Sequence, residues 1–373
     1  MRRLLVFLIA SILLATGCGG SDETADSTTT TSAATTTTTT GATTSTTTTP
    51  TTTTTTTVPE RALFDDSYTT ALFAGPASWD RLFIDPGGVV VHDDQWHRFY
   101  NGIDSWPSHV SVGYATSPDG LKWTKKSDEP LFVTDEADYT GISAFLSHAE
   151  VLDDGTWAVW FYSVERQNNF ATGVVGRATA PTATGPWTID PAPAVEKGAE
   201  GEWDSQGVSN PSIVKGGDEW WMYYDGNKGD LESDGDRSIG LATSTDGITW
   251  EKHADNPIMV TQQGEWDERR VYDPGVVITD EGFVMAYWTR RPGKPGATAP
   301  EYLAGLAFSE DGLSWERDPD NPFYDTSRFG NTQAFLSTFI HTGDAYVLLH
   351  DVSTGGGTNV WQQVHEGSLR DGG

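Results

Sequence analysis

The chain has 373 residues and a single cysteine, Cys18. With no second thiol, an intrachain disulfide and a cysteine-ligated metal are both excluded, and a fold must hold by core burial alone. Cations are scarce as well: 23 Lys and Arg stand against 53 Asp and Glu, a formal charge of −30. That excess speaks against nucleic acid and against an anionic membrane surface as partners, without identifying a ligand. Long apolar stretches are missing too. The run from Leu4 to Ala15 is too short to span a bilayer comfortably.

What the first sixty residues contain is not fold. Arg2 and Arg3 precede the apolar run, and Ala15-Thr-Gly-Cys18 follows it, as in a secretory signal. Cys18 resembles the lipobox cysteine of bacterial lipoproteins, with Ala15 where leucine is commoner. The resemblance implies a lipid on Cys18 and a protein anchored at the outer face of a bacterial cell membrane, touching the membrane through that lipid only. From Thr24 to about Val58 the chain is nearly all Thr, with Ser, Ala and Pro50. Such a tract has nothing to bury and is expected to be a disordered, extended stalk. The expected organisation is a signal peptide over 1–18, a linker over 19–60 and one folded, monomeric domain over 61–373.

Within that domain one hairpin signature recurs four times: Ser117-Pro-Asp119-Gly120-Leu-Lys-Trp123, Thr182-Ala-Thr-Gly185-Pro-Trp187, Ser244-Thr-Asp246-Gly247-Ile-Thr-Trp250 and Ser309-Glu-Asp311-Gly312-Leu-Ser-Trp315. The tryptophans are 63 to 65 residues apart, the mark of an array of equivalent units. Each unit holds short apolar or aromatic runs bounded by Gly, Asp and Asn, with Asp-Gly, or Thr-Gly in the second unit, between the last two, which reads as four antiparallel strands. A final segment supplies three strands within Phe335–Ile340, Ala345–Leu349 and Thr358–Val364, and Tyr68–Phe73 can close the ring with the fourth. The expected fold is therefore all-β, a five-bladed β-propeller with four-stranded antiparallel blades. The hairpin tryptophans suit inter-blade packing, and the recurrent Asp80, Asp204 and Asp267, each after a tryptophan, suit a scaffold role.

Aligning the innermost strands brings out the chemistry. Asp85-Pro86, Asn210-Pro211 and Asp273-Pro274 follow the Trp-Asp pairs, with the first spacing one residue shorter, and His148 holds the matching place in unit two. Asp85, His148, Asn210 and Asp273 are expected to face one another at one mouth of the channel.

Asp-Pro at the start of an inner strand, together with the Ser-x-Asp-Gly-x-x-Trp hairpin, resembles the five-bladed propeller glycoside hydrolases of families 43, 32, 62 and 68. The resemblance implies that Asp85 is the base or nucleophile and that a carbohydrate is the substrate or ligand. Glycosidic cleavage needs a second carboxyl carrying a proton. The relatives supply it as Glu in a Glu-x-Pro of the third blade, where this chain has Ser209. Glu150, two residues beyond His148 and on its face in the absence of a bulge, is the first candidate for the proton donor. Glu165, Asp225 and Glu301, taken as loop carboxylates, compete with it, as does His148 itself.

Asp273 is placed beside the pair to bias its protonation. His148, Asn210, Trp106, Trp288 and Arg290 are candidates for sugar contact. A structural calcium is known among the relatives, but no ligand cluster in the sequence demands it.

Two function classes follow. One is a cell-surface glycosidase acting on neutral poly- or oligosaccharides. The other is a carbohydrate-binding or cell-surface interaction propeller without the usual acid, which Ser209 and Asn210 favour. Phosphorolysis on the same fold would need a phosphate site, suggested only by Arg290 and Arg291. The anchoring expectation has its own test: Cys18→Ala, expressed in a native-like host, should move the protein from the membrane fraction to the medium or leave it unprocessed. Unchanged, processed membrane association would assign the anchor to another segment.

Overall fold

The computed structural model describes residue 64, residues 69–72 and residues 79–370, apart from 106–108, 127, 135, 167–170, 229–236, 292–299, 327–336 and 354–357. Its strands form five antiparallel sheets. Blade one comprises Phe83–His92, Gln95–Ile103, Ser111–Ser117 and Thr124–Lys125, and blade two Ser143–Val151, Trp157–Arg166, Ala171–Ala180 and Thr188–Ile189. Blade three comprises Gly207–Gly216, Glu219–Asn227, Arg237–Ser244 and Glu251–Lys252, and blade four Tyr272–Thr279, Gly282–Arg291, Glu301–Ser309 and Glu316–Arg317. Blade five takes Ser337–His341, Ala345–Ser353 and Thr358–Glu366 from the end of the chain and its outer strand, Thr69–Leu72, from the beginning. Thr69 pairs with Gln362 and Leu72 with Val360, so the ring closes as the sequence suggests. Each inner strand lies against the next, and that of blade five against that of blade one.

Burial at the seams explains why sheets of this composition stack radially. Each of the five seams carries an apolar cluster drawn from both flanking blades, for example Phe99 and Tyr114 with Leu146 and Trp157 between blades one and two, where Ile103 and Val110 with Phe145, Tyr162 and Val164 form a second. The other four seams are built alike. The hairpin tryptophans belong to these seams. Trp187 meets Phe99, Trp250 meets Trp160 and Trp315 meets Tyr223, each on the preceding blade, while Trp123 packs in the cluster shared with blade five.

The turn that delivers them is fixed locally: Asp119, Asp246 and Asp311 each accept two backbone N–H bonds, as from Leu121 and Lys122 at 2.9 and 3.0 Å. Those donors hold the three carboxyls below their ordinary pKa, Asp311 at about 2.

The Trp-Asp pairs form a second repeated device. Trp79, Trp203 and Trp266 lie on Tyr100, Tyr224 and Tyr287 of the second strands at 5.5–5.8 Å between centroids. The adjoining Asp80, Asp204 and Asp267 are buried. Each accepts from that tyrosine and from a cation on the fourth strand: Lys125 at 2.5 Å, Lys252 at 2.6 Å and Arg317 at 2.8 Å. One carboxylate thus pins the second strand to the outermost one, which has only two residues of ladder to hold it.

Lys252 keeps 30% of its side-chain exposure while Asp204 keeps 1%, so removing the two partners has unequal cost. Lys252→Met strands a buried charge and should lower stability by about 2–4 kcal/mol; Asp204→Asn lets the lysine turn to water and should cost about 1 kcal/mol. Equal losses in denaturant titrations of the two variants would contradict this order.

Candidate active site

Register across the second strands defines the mouth. Tyr100, Phe161, Tyr224 and Tyr287 each pair with a glycine of the third strand, namely Gly113, Gly176, Gly240 and Gly305. A Cβ at Gly113 would stand 2.1 Å from the Tyr100 ring, which leaves no room for any side chain there. The residue after each aromatic is Asn101, Tyr162, Asp225 or Trp288. Counted from the aromatic that opens the strand, Asp351 holds the same place in blade five.

Three of these residues bond to the start of the next blade's inner strand. Asn101 exchanges two bonds with the Leu146 backbone, at 2.8 and 2.9 Å, Asp225 accepts from Asp273 N at 3.1 Å, and Trp288 Nε1 donates to Ser337 Oγ at 2.9 Å. Asp351 is the charge that acts most on Asp85 of blade one. The ring therefore links blade one to two, three to four and four to five at the channel end where the inner strands begin.

The inner strands contribute the rest, with a bulge at this level in blades one to four. Asp85 pairs with Asn101, Ser209 with Asp225 and Tyr272 with Trp288, so Asp85, Ser209 and Tyr272 are the equivalent residues. This corrects the alignment of Asp85 with Asn210 and Asp273. The shorter spacing in unit one is not a deletion; its Asp-Pro sits one position earlier on the strand. Asn210 and Asp273 occupy the bulge itself, with φ of 50° and 51°, a left-handed backbone that Asn and Asp adopt more readily than other side chains. Side chains of both still reach the site.

Asp225 is completely buried and fully engaged. Asn210 Nδ2 and Asp273 N donate to its Oδ1 at 2.7 and 3.1 Å, while Ser209 Oγ donates to Oδ2 at 2.8 Å and Arg237 Nη1 lies 3.1 Å from the same oxygen. All its lone-pair directions are taken, which suits an anchor and leaves none for substrate. Asp273 accepts at Oδ2 from Ser337 Oγ at 2.7 Å, the same serine that accepts from Trp288. Burial first, then the charges of Asp225 and Asp351, push the Asp273 carboxyl well above its ordinary pKa, and the Ser337 hydroxyl opposes them. Burial, then Asp351, does the same to Asp85. Each carboxyl favours its protonated form.

Other candidates lie elsewhere. His148 is at the mouth in sequence register only: it pairs with Trp160, two ladder positions along the channel from the level of Asp85, where its Nδ1 accepts from Ile213 N at 3.4 Å and joins blade two to blade three. Burial lowers its pKa to about 3, so near neutral pH the ring is neutral, with its one proton on Nε2, and is not the imidazolium that a general acid would need. Glu150 does share a face with it, Oε2 to Nε2 3.9 Å, as strand alternation requires. The expectation that Glu150 faces Asp85 is not met. It pairs with Ala158 near the hairpin end of its strand, and its charged neighbours are Lys215 and Asp153. Four ladder positions, roughly 13 Å, separate it from Phe145, the residue level with Asp85.

Glu165, Asp225 and Glu301 are on strands rather than loops; Glu165 pairs with Lys197 and Glu301 with Arg291, at 2.6 and 2.7 Å. With Arg291 so committed and Arg290 stacked over Tyr302, the two arginines do not form a joint phosphate cradle. Trp288 is buried in the seam with blade five, not open for stacking on a sugar. Trp106 and Cys18 lie outside the described residues. Among the described residues no group of three or more His, Cys, Asp or Glu side chains is placed to hold a metal ion. A comparison confined to inner strands does not find the ring residues Tyr162 and Asp351. Their signal lies on the second strands, five residues after Trp157 and Tyr346.

A model of the glycosyl hydrolases family 32 N-terminal domain matches residues 187–333, which spans blades three and four. An uncharacterized protein of Mycobacterium tuberculosis is 27% identical over 213 residues, 57% of this chain and 69% of its own length. Two solved structures share the fold. A glycosyl hydrolase from Bacteroides ovatus aligns with a TM-score of 0.59 at 18% identity, over 83% of this chain and 92% of that one. A member of family 130, described as mannoside phosphorylases that include glycoside hydrolases targeting β-1,2 mannosidic linkages, aligns at 0.58 and 18% identity, over 80% and 92%. The chain thus has the five-bladed propeller fold of glycoside hydrolases.

Raised carboxyl pKa values carry a stability signature. Between the ordinary aspartate pKa near 4 and the raised folded value, the native state binds more protons than the unfolded one, so stability falls as pH rises through that window. Asp85→Asn removes the liability. Its melting temperature should exceed that of the wild type at pH 8 by about 2–4 °C for each kcal/mol recovered, and the gap should close by pH 4. A variant less stable than wild type at pH 8 would contradict the assignment.

Proposed function

We propose that this protein is a glycoside hydrolase that cleaves glycosidic bonds of neutral poly- or oligosaccharides at the carboxyl-lined mouth of its propeller. The observation that carries this proposal is convergence. Asp85, Asp225, Asp273 and Asp351, from blades one, three, four and five, act on one another: Asp351 on both Asp85 and Asp273, and Asp225 on Asp273. Glycosidic cleavage needs one carboxyl to protonate the leaving oxygen and another to activate water or attack the anomeric carbon.

Environment divides those tasks. Both Asp85 and Asp273 are buried beside the charge of Asp351, which favours the neutral form of each, but Asp273 receives a hydrogen bond from Ser337, which favours its ionised form. Asp85 is then the acid and Asp273 the base or nucleophile. This reverses the role that the resemblance implies for Asp85. Asp225 with Arg237 fixes the Asp273 backbone and takes no part in proton transfer. Anchoring through Cys18 and a Thr-rich stalk would place the site outside the cell, within reach of polymeric glycans.

Leaving-group dependence distinguishes the roles. The wild type is screened on arabinan, xylan, fructan, mannan and aryl glycosides, and the variants are assayed on whichever is cut. Asp85→Asn should lose about 10²–10⁴ in rate on poor leaving groups and much less on activated aryl glycosides, Asp273→Asn should lose both alike, and Glu150→Gln should lose neither. Equal loss on both substrate types in Asp85→Asn would return that residue to the base. The second class, a non-catalytic carbohydrate-binding propeller, is favoured by Ser209 in the place of an acidic residue; glycan binding without turnover, unaffected by Asp85→Asn, would select it.

A further inference from the structure

The mouth-ring residue of blade four reaches its neighbour differently from those of blades one and three. Asn101 and Asp225 bond to backbone, at Leu146 and Asp273, and act as stitches between blades. Trp288 bonds to a side chain instead: its Nε1 donates at 2.9 Å to Ser337 Oγ on the inner strand of blade five, and that hydroxyl donates at 2.7 Å to Asp273 Oδ2 back on blade four. The Ser337 backbone favours the ionised Asp273 through a further bond. A buried indole, a hydroxyl and a buried carboxyl thus form one chain across the seam.

Donor chemistry gives that chain a direction. An indole N–H can donate but has no lone pair with which to accept, so the serine oxygen must accept at that end. Its single proton is left for Asp273, and a hydrogen bond received by a hydroxyl strengthens the one it gives. The indole has little freedom to turn. It is buried, meeting Tyr324 edge-on at 5.6 Å and His350 at 6.0 Å between ring centroids. Burial lowers the His350 pKa to about 4, so that ring is uncharged near neutral pH.

We infer that Trp288 and Ser337 are positioning residues for Asp273: the indole fixes the serine hydroxyl, and the hydroxyl holds the Asp273 carboxylate in the orientation and the ionised form that a base or nucleophile needs. The inference rests on the role proposed above for Asp273. It also accounts for a tryptophan at the mouth with no face open to sugar. The charges that act on Asp273 from other elements are Asp225, on the second strand of blade three, and Asp351, on the second strand of blade five; both oppose ionisation, and Ser337 works against them. Arg237 is paired with Asp225, and burial keeps the phenols of Tyr162 and Tyr272 neutral.

Trp288→Phe keeps an aromatic ring and removes the N–H, whereas Ser337→Ala removes the hydroxyl. NMR of the full chain, labelled at aspartate carboxyl carbons, follows the Asp273 titration without substrate, and Asp273→Asn identifies its signal. Ser337→Ala should raise the midpoint by about one pH unit and Trp288→Phe by about half a unit. Ser337→Thr, which keeps a hydroxyl, should leave it in place. The double variant Trp288→Phe with Ser337→Ala should move it no further than Ser337→Ala alone, because the indole acts only through the hydroxyl. With a substrate in hand, the acidic limb of the pH–rate profile should move to higher pH by the same amounts. A midpoint unmoved in either single variant, whatever the melting temperature does, or shifts that add in the double variant, would overturn the inference and leave Trp288 as seam packing. The expected shifts in a protein that cuts no glycan would sustain the hold on Asp273 while removing the hydrolase proposal.

Discussion

The site depends on one constraint: five sheets of the same register share one axis, so a given strand position in every blade is carried to the same height in the channel. Packing enforces that register from the outside. The tyrosine ring stacked under a tryptophan has room only over a glycine of the third strand, as Tyr100 has over Gly113. Once that ring is fixed, the next residue must point at the adjacent blade near the mouth. Substitution at that position changes the chemistry without changing the scaffold, and the five blades use Asn101, Tyr162, Asp225, Trp288 and Asp351 there.

Four buried aspartates in one neighbourhood work against stability, because burial and like charge both penalise their ionised forms. The structure offsets this unevenly. Asp225 is balanced by Arg237 and three hydrogen bonds, and Asp273 by one hydroxyl. Asp85 and Asp273 remain with their pKa values well raised. A scaffold that needed only strength would fill the mouth with apolar side chains, as the seams do. Buried carboxyls whose pKa values are raised, one of them tempered by a serine hydroxyl, suit acid–base chemistry instead.

Much of the fold is legible in the sequence because its signals are local. The Asp-Gly turns and their tryptophans repeat at a near-constant interval, and each turn is held by bonds within five residues, as those that Asp119 accepts from Leu121 and Lys122. Closure by Thr69–Leu72 is legible from a missing fourth strand at the chain's end. The site is less so, because it depends on bulges. One extra residue at Ser147 moves His148 and Glu150 along the channel, and a one-position difference separates the Asp-Pro of blade one from those of the other blades. Neither shift has a signature in composition or spacing that distinguishes it from a short insertion. Asp225 reads as a loop carboxylate because the strand Glu219–Asn227 runs further than its aromatic core suggests.

The central claim is that sugar is cleaved at the mouth, between Asp85 and Asp273. A crystal structure of Asp85→Asn with an uncleaved oligosaccharide bound tests it most directly. A glycosidic oxygen is expected within hydrogen-bond distance of the substituted side chain at position 85, with the anomeric carbon on the Asp273 side. An oligosaccharide bound away from both residues, for instance beside Glu150 at the opposite end of the inner strand, would contradict it.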